Sequence, residues 1–422
     1  MNINNLIRKQ YLSLFFFLLS IFLLPFNRKL FIISLWPWFF FWIIEGNYRH
    51  KINNITLLKG KWGLLFPLMI FFLFLISILW SSNNDHAKMS LIEKLSLVLI
   101  PFFIVFSNPE NRENQFRLVR KIFIAGLVIS SLFLLITATI KAVSINNGSI
   151  NFDPVVNKWG NVFLYYNFSY LIHPSYYAMM HLMGLAFCLV DMKHKTLFKR
   201  PYINIILSVY LIIIVVLSSS RACYIALLLL ILFFISSIKT KRYLKIISVL
   251  VLIALSAFYI NHTTRFKNIM ERYEKNTGET RIEALFKTNI RYDLWISSFN
   301  IIKDKPLLGS GIGDIQDDLD KEYNNNGIDK ASLRSLNAHN QFLESWMAGG
   351  IVSLVILLMA LIIPLKDKNL IYRELYYYLF IILTTNFLFE SMFNRVWGVA
   401  FFSIFYSLLT MRYVSNNHKT QH

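Results

Sequence analysis

The stretch WGLLFPLMIFFLFLISILW, Trp62–Trp80, runs without a single Asp, Glu, Lys or Arg. A helix needs about 20 predominantly apolar residues to cross the hydrocarbon of a bilayer, and this stretch supplies that length alone. It is not isolated. Of the 422 residues 56% are hydrophobic, 16% aromatic and only 16% charged, with a mean hydropathy of +0.50. Soluble domains carry about 25% charged residues, so this chain lacks the polar surface to cover a globule. A water-soluble enzyme, a disordered chain and a disulfide-stapled secreted domain are excluded. The composition defines an all-α integral membrane protein.

Working outward from Trp62–Trp80, similar runs give about twelve transmembrane helices. Before it come Tyr11–Pro25 and Leu30–Ile44; after it Leu91–Phe106, Ile122–Ile140, Tyr176–Val190, Ile203–Leu217, Ala222–Ile238 and Ile246–Ile260. Leu343–Leu365, Tyr376–Phe389 and Trp397–Met411 complete the set. The first two are short and separated only by Asn27-Arg28-Lys29, so they form either a tight hairpin or partly interfacial segments. Dropping both leaves the sidedness unchanged. The organisation is spans 1–9 over residues 1–260, an extracytoplasmic loop over 261–338, and spans 10–12 over 339–422, within one integrated membrane domain.

The net charge of +20 sets the orientation, because Lys and Arg collect in cytoplasmic segments. With the N-terminus inside, clusters fall at Arg49/Lys51/Lys59/Lys61, Arg112/Arg117/Arg120/Lys121, Lys193/Lys195/Lys199/Arg200, Lys239/Lys241/Arg242/Lys245 and Lys366/Lys368/Arg373. Short outer segments hold only Arg28, Lys29, Lys88, Lys94, Lys141, Lys158, Arg221 and Arg395. Both termini are therefore expected in the cytoplasm, and the excess charge is a collar that implies no nucleic acid. No small-x-small cleavage site follows Arg8-Lys9 before Pro25, so the first span is expected to stay as an anchor. Cys188 and Cys223 fall near opposite membrane faces, which argues against a mutual disulfide.

The long outer loop is rich in acids, among them Glu271, Glu274, Glu279, Glu283, Asp293, Asp304, Asp314, Asp317, Asp318, Asp320, Glu322 and Asp329, with Glu344 in the helix that follows. Polar chemistry is expected on that side. Arg221, in Ser218-Ser219-Ser220-Arg221-Ala222 between two apolar runs, is either a headgroup anchor or a ligand for a phosphorylated lipid, whose oxygens a guanidinium meets bidentately. Arg291 lies in an expected helix from about Arg281 to Lys303, ended by Pro306 and the glycines after it. Trp295, Ser298 and Ile302 share its face, which suits docking onto the membrane core; a surface pair with Glu283 or Asp293 is the alternative. Gly309-Ser310-Gly311-Ile312-Gly313 lacks the Lys-Ser/Thr of a phosphate loop and reads as a flexible turn that folds the loop back.

His339, in Asn337-Ala338-His339-Asn340-Gln341, stands where the loop enters the tenth span. It reads as a general base or as a structural histidine bonded to a backbone carbonyl. No residue spacing supports a metal. His173-Pro174-Ser175-Tyr176, Glu93-Lys94, Glu390 and Arg395 lie at the same boundary, and together they imply a polar cavity opening outward.

On these residues the chain resembles the O-antigen ligase / O-antigen polymerase superfamily of bacterial membrane glycan transferases. The resemblance rests on Ser220-Arg221, on Arg291-Tyr292-Asp293-Leu294-Trp295 and on Asp304-Lys305-Pro306-Leu307-Leu308-Gly309-Ser310-Gly311-Ile312-Gly313. It continues through His339-Asn340-Gln341-Phe342-Leu343, with Gly350 beyond, and through His173-Pro174-Ser175. Ala348 departs from it, since many relatives carry an acid shortly before the glycine. The resemblance implies a GT-C-like, metal- and cofactor-independent glycosyltransferase in the cytoplasmic membrane, with its active site facing the periplasm. The donor would be a polyprenyl-diphosphate (undecaprenyl-type) glycan held by Arg221 and Arg291, and His339 would assist the acceptor, with Asn340, His173, Glu390 and Arg395 in support. A ligase places the glycan on lipid A–core in lipopolysaccharide biosynthesis; a polymerase joins lipid-linked repeats. A lipid-linked sugar transporter or flippase, the alternative of another class, should show midplane polar residues or broken helices in related halves; here the spans are nearly charge-free in their middles and the halves are not visibly related.

Overall fold

A computed structural model of the chain describes residues 3–46, 48–105, 112–146, 149–155, 160–239, 241, 243, 290–332 and 334–413. The expected ninth span, Ile246–Ile260, lies outside the described residues, as do the loop through residue 289 and Lys158. The described chain is overwhelmingly helical, and apart from Leu91–Phe106 the other expected spans coincide with helix. Among the described residues four helices are long and apolar enough to cross a membrane: Trp62–Trp80, Glu113–Ala142, Pro174–His194 and Gln341–Lys366. Tyr11–Leu23, Pro201–Leu217, Arg221–Ser237 and Val396–Thr410 are shorter apolar helices. This is a multi-pass membrane protein.

Pro174–His194 is the central pillar. Pro174 opens it at a position where a missing N–H costs nothing, and 94% of its apolar window is buried. Its sequence explains the burial: Ala178, Gly184 and Ala186 let neighbours approach closely, and flexible Met179, Met180 and Met183 fill the gaps. Around it pack Arg112–Ala142, Pro201–Leu217, Arg221–Ser237, Arg373–Phe389 and Val396–Thr410.

Two expectations change. The single span Leu91–Phe106 is instead two helices, Asn84–Lys94 and Ser96–Val105, interrupted at Leu95, whose N–H turns back to Ile92 O at 3.3 Å. The first of the pair begins Asn-Asp-His and is too polar for hydrocarbon, so the apolar run starts afresh after Lys94. Two short ribbons also interrupt the all-helical expectation. Val143–Asn146 pairs antiparallel with Ser149–Phe152, flanking Asn147-Gly148 in the sequence, the dipeptide most favoured in tight hairpins. Leu58–Lys61 pairs with Met411–Tyr413.

Among the described residues, contacts across the bundle join like ends. At one end lie the Leu58–Lys61 ribbon, the Trp62 Nε1–Asp367 bond at 3.3 Å and the Lys193–Glu374 pair. At the other, Asp314 accepts from the Ser82 and Asn83 N–H groups, Arg28 lies 4.0 Å from Glu93, and Ser175 bonds Glu390. That is the alternation the expected sidedness requires.

Candidate active site

At Glu390 the helix Arg373–Phe389 stops, and the backbone becomes extended (φ −145°, ψ 140°). An acid at the end of an apolar run is costly to bury unless it is paired and hydrogen-bonded, and Glu390 is 7% exposed. Three distant segments pair it. Oε1 accepts from Arg291 Nη2 at 3.0 Å and from Ser175 Oγ at 3.1 Å, and Oε2 lies 3.1 Å from His339 Nδ1. Burial alone would push the Glu390 carboxyl up. The hydrogen bond and charge of His339, together with Arg291 and His173, outweigh it and hold the group below the usual carboxylate range.

An ionised carboxylate only accepts, so the ring nitrogen facing Glu390 is an N–H. In the neutral ring the proton is therefore on Nδ1, and Nε2 is the basic atom; Nε2 makes no hydrogen bond among the described residues. The local sequence fixes this ring. Asn337 Oδ1 accepts from the His339 N–H at 3.0 Å. Asn340 caps the Gln341–Lys366 helix, accepting from the Phe342 and Leu343 N–H groups at 2.9 and 3.2 Å. Between them His339 sits at φ +46°, a left-handed conformation that costs an L residue roughly 1–2 kcal/mol. Asn340 thus serves as the cap that holds its neighbour.

Glu344, which the sequence reading left unassigned, stitches the two loops of the site together. Its Oε2 accepts from Ser391 Oγ at 3.1 Å and from the Ala338 N–H at 3.4 Å, and its Oε1 from Asn394 Nδ2 at 2.7 Å. Ser391 Oγ in turn accepts from the Asn340 N–H at 3.3 Å. The sequence signal for both was weak: one acid at a helix start just after a loop full of acids, and one serine after an apolar run.

His173 caps the central pillar, its Nδ1 accepting from the Ser175 N–H at 3.3 Å. Burial lowers its pKa, against the attraction of Glu390. Tyr166 lies edge-on to it at 5.1 Å. Arg221 is the first residue of Arg221–Ser237 and is exposed. Ser220 before it donates to Ser175 Oγ at 3.4 Å, and Ser175 donates on to Glu390, so the start of this helix touches the cluster. Arg395 is exposed beyond the short turn Met392–Asn394, on the wall of a neighbouring cavity that Ala348 also lines.

Arg291 lies in the helix Ile290–Asp304, whose buried face carries Leu294, Ser298 and Ile302, as expected of a docking helix; Trp295 is only partly buried, against Phe389. The expected start of that helix, Arg281, and Glu283 fall outside the described residues. The Arg291–Glu390 bond shows the charge aimed inward.

The glycine run is corrected: it is a packed wedge. Ser310 N–H donates to Met347 O at 2.7 Å and Ile351 N–H to Pro306 O at 3.1 Å, while the Ile312 and Gly313 N–H groups reach Ser77 and Ser81 Oγ, both at 3.1 Å. Gly350, at φ +68°, breaks the Gln341–Lys366 helix, and a Cβ there would lie 1.8 Å from Leu307 O. This close approach locks the loop onto the membrane helices. Among the described residues no three His, Cys, Asp or Glu side chains gather as metal ligands.

Residues 206–358 match the family model described as O-antigen ligase, and the chain carries that family's domain there. The matched stretch holds Arg221, Arg291 and His339. Over that stretch, about a third of the chain, the protein is similar to the O-antigen ligase family, whose members are glycosyltransferase-type enzymes. An uncharacterized protein of Haemophilus influenzae is similar at 29% identity over 98 residues, which span 23% of each chain.

Proposed function

We propose that the chain transfers a polyprenyl-diphosphate-linked glycan to an acceptor sugar hydroxyl, as an O-antigen ligase whose acceptor is lipid A–core. The reading places about twelve spans in a GT-C-like arrangement, both termini in the cytoplasm and the site on the periplasmic face of the bacterial inner membrane. The observation that carries it is the 3.1 Å contact between His339 Nδ1 and Glu390, a base held in one tautomer by a buried carboxylate.

The acceptor oxygen attacks the anomeric carbon while its proton passes to His339 Nε2. The bond from that carbon to the diphosphate oxygen breaks, and polyprenyl diphosphate leaves with the electron pair. Positive groups placed where that charge develops lower the barrier. In this reading the exposed Arg221 meets the diphosphate, and Arg291 shares its charge between Glu390 and the leaving group. The donor is already activated, so the reaction calls for neither a nucleotide nor a metal.

Reconstitution with a polyprenyl-diphosphate glycan and two acceptors tests this. Product on lipid A–core identifies a ligase, and lengthened lipid-linked chains a polymerase, the alternative within the superfamily. His339→Ala is expected to lower transfer about 10²–10⁴-fold, the usual worth of a general base, with the protein still in the membrane. Undiminished transfer by that variant overturns the proposal.

A further inference from the structure

Between the Asn84–Lys94 helix, the Ile315–Asn325 helix and the start of Gln341–Lys366 lies a cavity of about 240 Å³ that no step above uses. Lys94 lines it and is 4% exposed. Its hydrogen bond is a long one, 3.4 Å to Ser90 O, and among the described residues it makes no ion pair. Beyond that bond the ammonium meets, among the described residues, only the Phe74 ring, 5.6 Å from its centroid, and a buried ammonium so weakly partnered is costly, so the cavity is built to receive an acceptor of hydrogen bonds.

The other walls narrow the ligand. Arg395 adds a second donor-only group, while Glu93 and Glu344 are acceptor-only. A bare anion would meet the two carboxylates, and a cation the lysine and arginine. A ring of hydroxyls, each of which donates and accepts, satisfies both sets, and Phe74 gives it an apolar wall. The volume lies below the roughly 300–1,000 Å³ of drug-sized sites, which fits one ring rather than an oligosaccharide. Position narrows it further: Asn337 and Gln341 on the wall stand two residues either side of His339, and Glu344 holds both loops of the catalytic cluster.

We propose that this cavity seats one uncharged sugar ring of the acceptor beside His339. The inference rests on the transfer reading, yet its test is binding. The full chain in lipid nanodiscs is probed by saturation-transfer NMR with methyl glucoside, methyl galactoside and methyl N-acetylglucosaminide, with inorganic phosphate as competitor. At least one hexoside is expected to receive saturation, undisturbed by phosphate and still present in His339→Ala. Lys94→Met and Ser90→Phe, the latter filling the cavity from its half-buried rim, should each weaken binding about tenfold, the worth of one charged hydrogen bond. No hexoside signal, equal signal in both cavity variants, or displacement by phosphate overturns the proposal. Hexoside binding that is lost in Lys94→Met while His339→Ala keeps full transfer would sink the transfer reading and leave the sugar site standing.

Discussion

The helices Pro174–His194 and Arg373–Phe389 run antiparallel through the centre of the bundle, and at each end a glutamate joins a cation to a histidine. At one end Glu374 takes Lys193 and, at 2.9 Å, His194, adjacent residues of one helix end. At the other Glu390 takes Arg291 and His339, 99 and 51 positions away, with Ser175 as a third partner. The Glu374 side chain is 23% exposed and its histidine 54%; Glu390 is 10% exposed and its histidine 27%. Similar groups thus do different work. A local, half-wet cluster pins two helix ends and is worth at most about 1 kcal/mol. A buried cluster assembled from four segments fixes geometry, and removing one partner from such a site costs several kcal/mol because a charge is left without compensation.

The sharpest way to break this contrast is to neutralise each glutamate in turn. Glu390→Gln is expected to lower glycan transfer about 10²-fold or more, since the His339 tautomer and its charge support go together. Glu374→Gln should stay within about twofold, the scale of an exposed pair. Transfer assays on both variants in one membrane preparation decide it. Equal losses would mean that Glu390 is another structural pin.

The sequence made one end far more legible than the other. Apolar runs locate the helices because the bilayer imposes their length, and Lys193-His194 beside Glu374 needs only two helix ends to meet. That Arg221, Arg291, His339, His173, Glu390 and Arg395 share a side was readable from the alternation of spans. Which of them touch was not, because the contacts of Glu390 depend on how Ile290–Asp304 docks. Asn340 could have been read as a helix cap from Asn340-Gln341-Phe342-Leu343 alone. The run Gly309–Gly313 looked flexible for a physical reason: its partners, Ser77, Ser81, Met347 and Gly350, lie far away in sequence, and glycine is chosen both for freedom and for close approach. Glu344, one turn into the helix that follows the loop's many acids, did not stand out until Ser391, Asn394 and Ala338 were seen around it.

Two glycines carry the same contrast at smaller scale. Gly350 (φ +68°) is pressed against Leu307 O, whereas Gly46 (φ +69°), after the Arg28–Glu45 helix, has only Ile44 O at 4.0 Å from where a Cβ would stand. Gly46→Ala should cost about 1–3 kcal/mol, the penalty of a backbone conformation (φ +69°, ψ −140°) that essentially only glycine adopts, and leave transfer unchanged. Gly350→Ala adds a clash with backbone, so Pro306–Ser310 must shift and the docked helix that carries Arg291 with it. Thermal unfolding should show the larger loss for Gly350→Ala, with transfer reduced about tenfold, a misplacement of ångström scale being enough for that. Equal penalties would mean that the loop is not held by this wedge.

The smallest effect is a pH dependence that belongs to the Glu390 end. Burial depresses the His173 pKa, opposed by Glu390 and reinforced by His339, Arg395 and Arg291 around it. In the unfolded chain this ring takes up a proton near pH 6.5, while the folded protein resists it. The unfolded state therefore binds more protons as pH falls below that value, and stability declines, by at most about 1.4 kcal/mol per pH unit for one proton. Glu390, also depressed, adds a second loss only at more acid pH, beginning as pH falls through the usual carboxylate range. The cap explains the first loss: His173 Nδ1 accepts from the Ser175 N–H, and a protonated ring would turn a donor toward that donor. His173→Asn keeps a capping acceptor that does not titrate. Unfolding midpoints taken between pH 7 and 5.5 should fall less steeply in that variant than in the parent chain, and parallel slopes would mean that the cap at the head of the pillar does not sense pH.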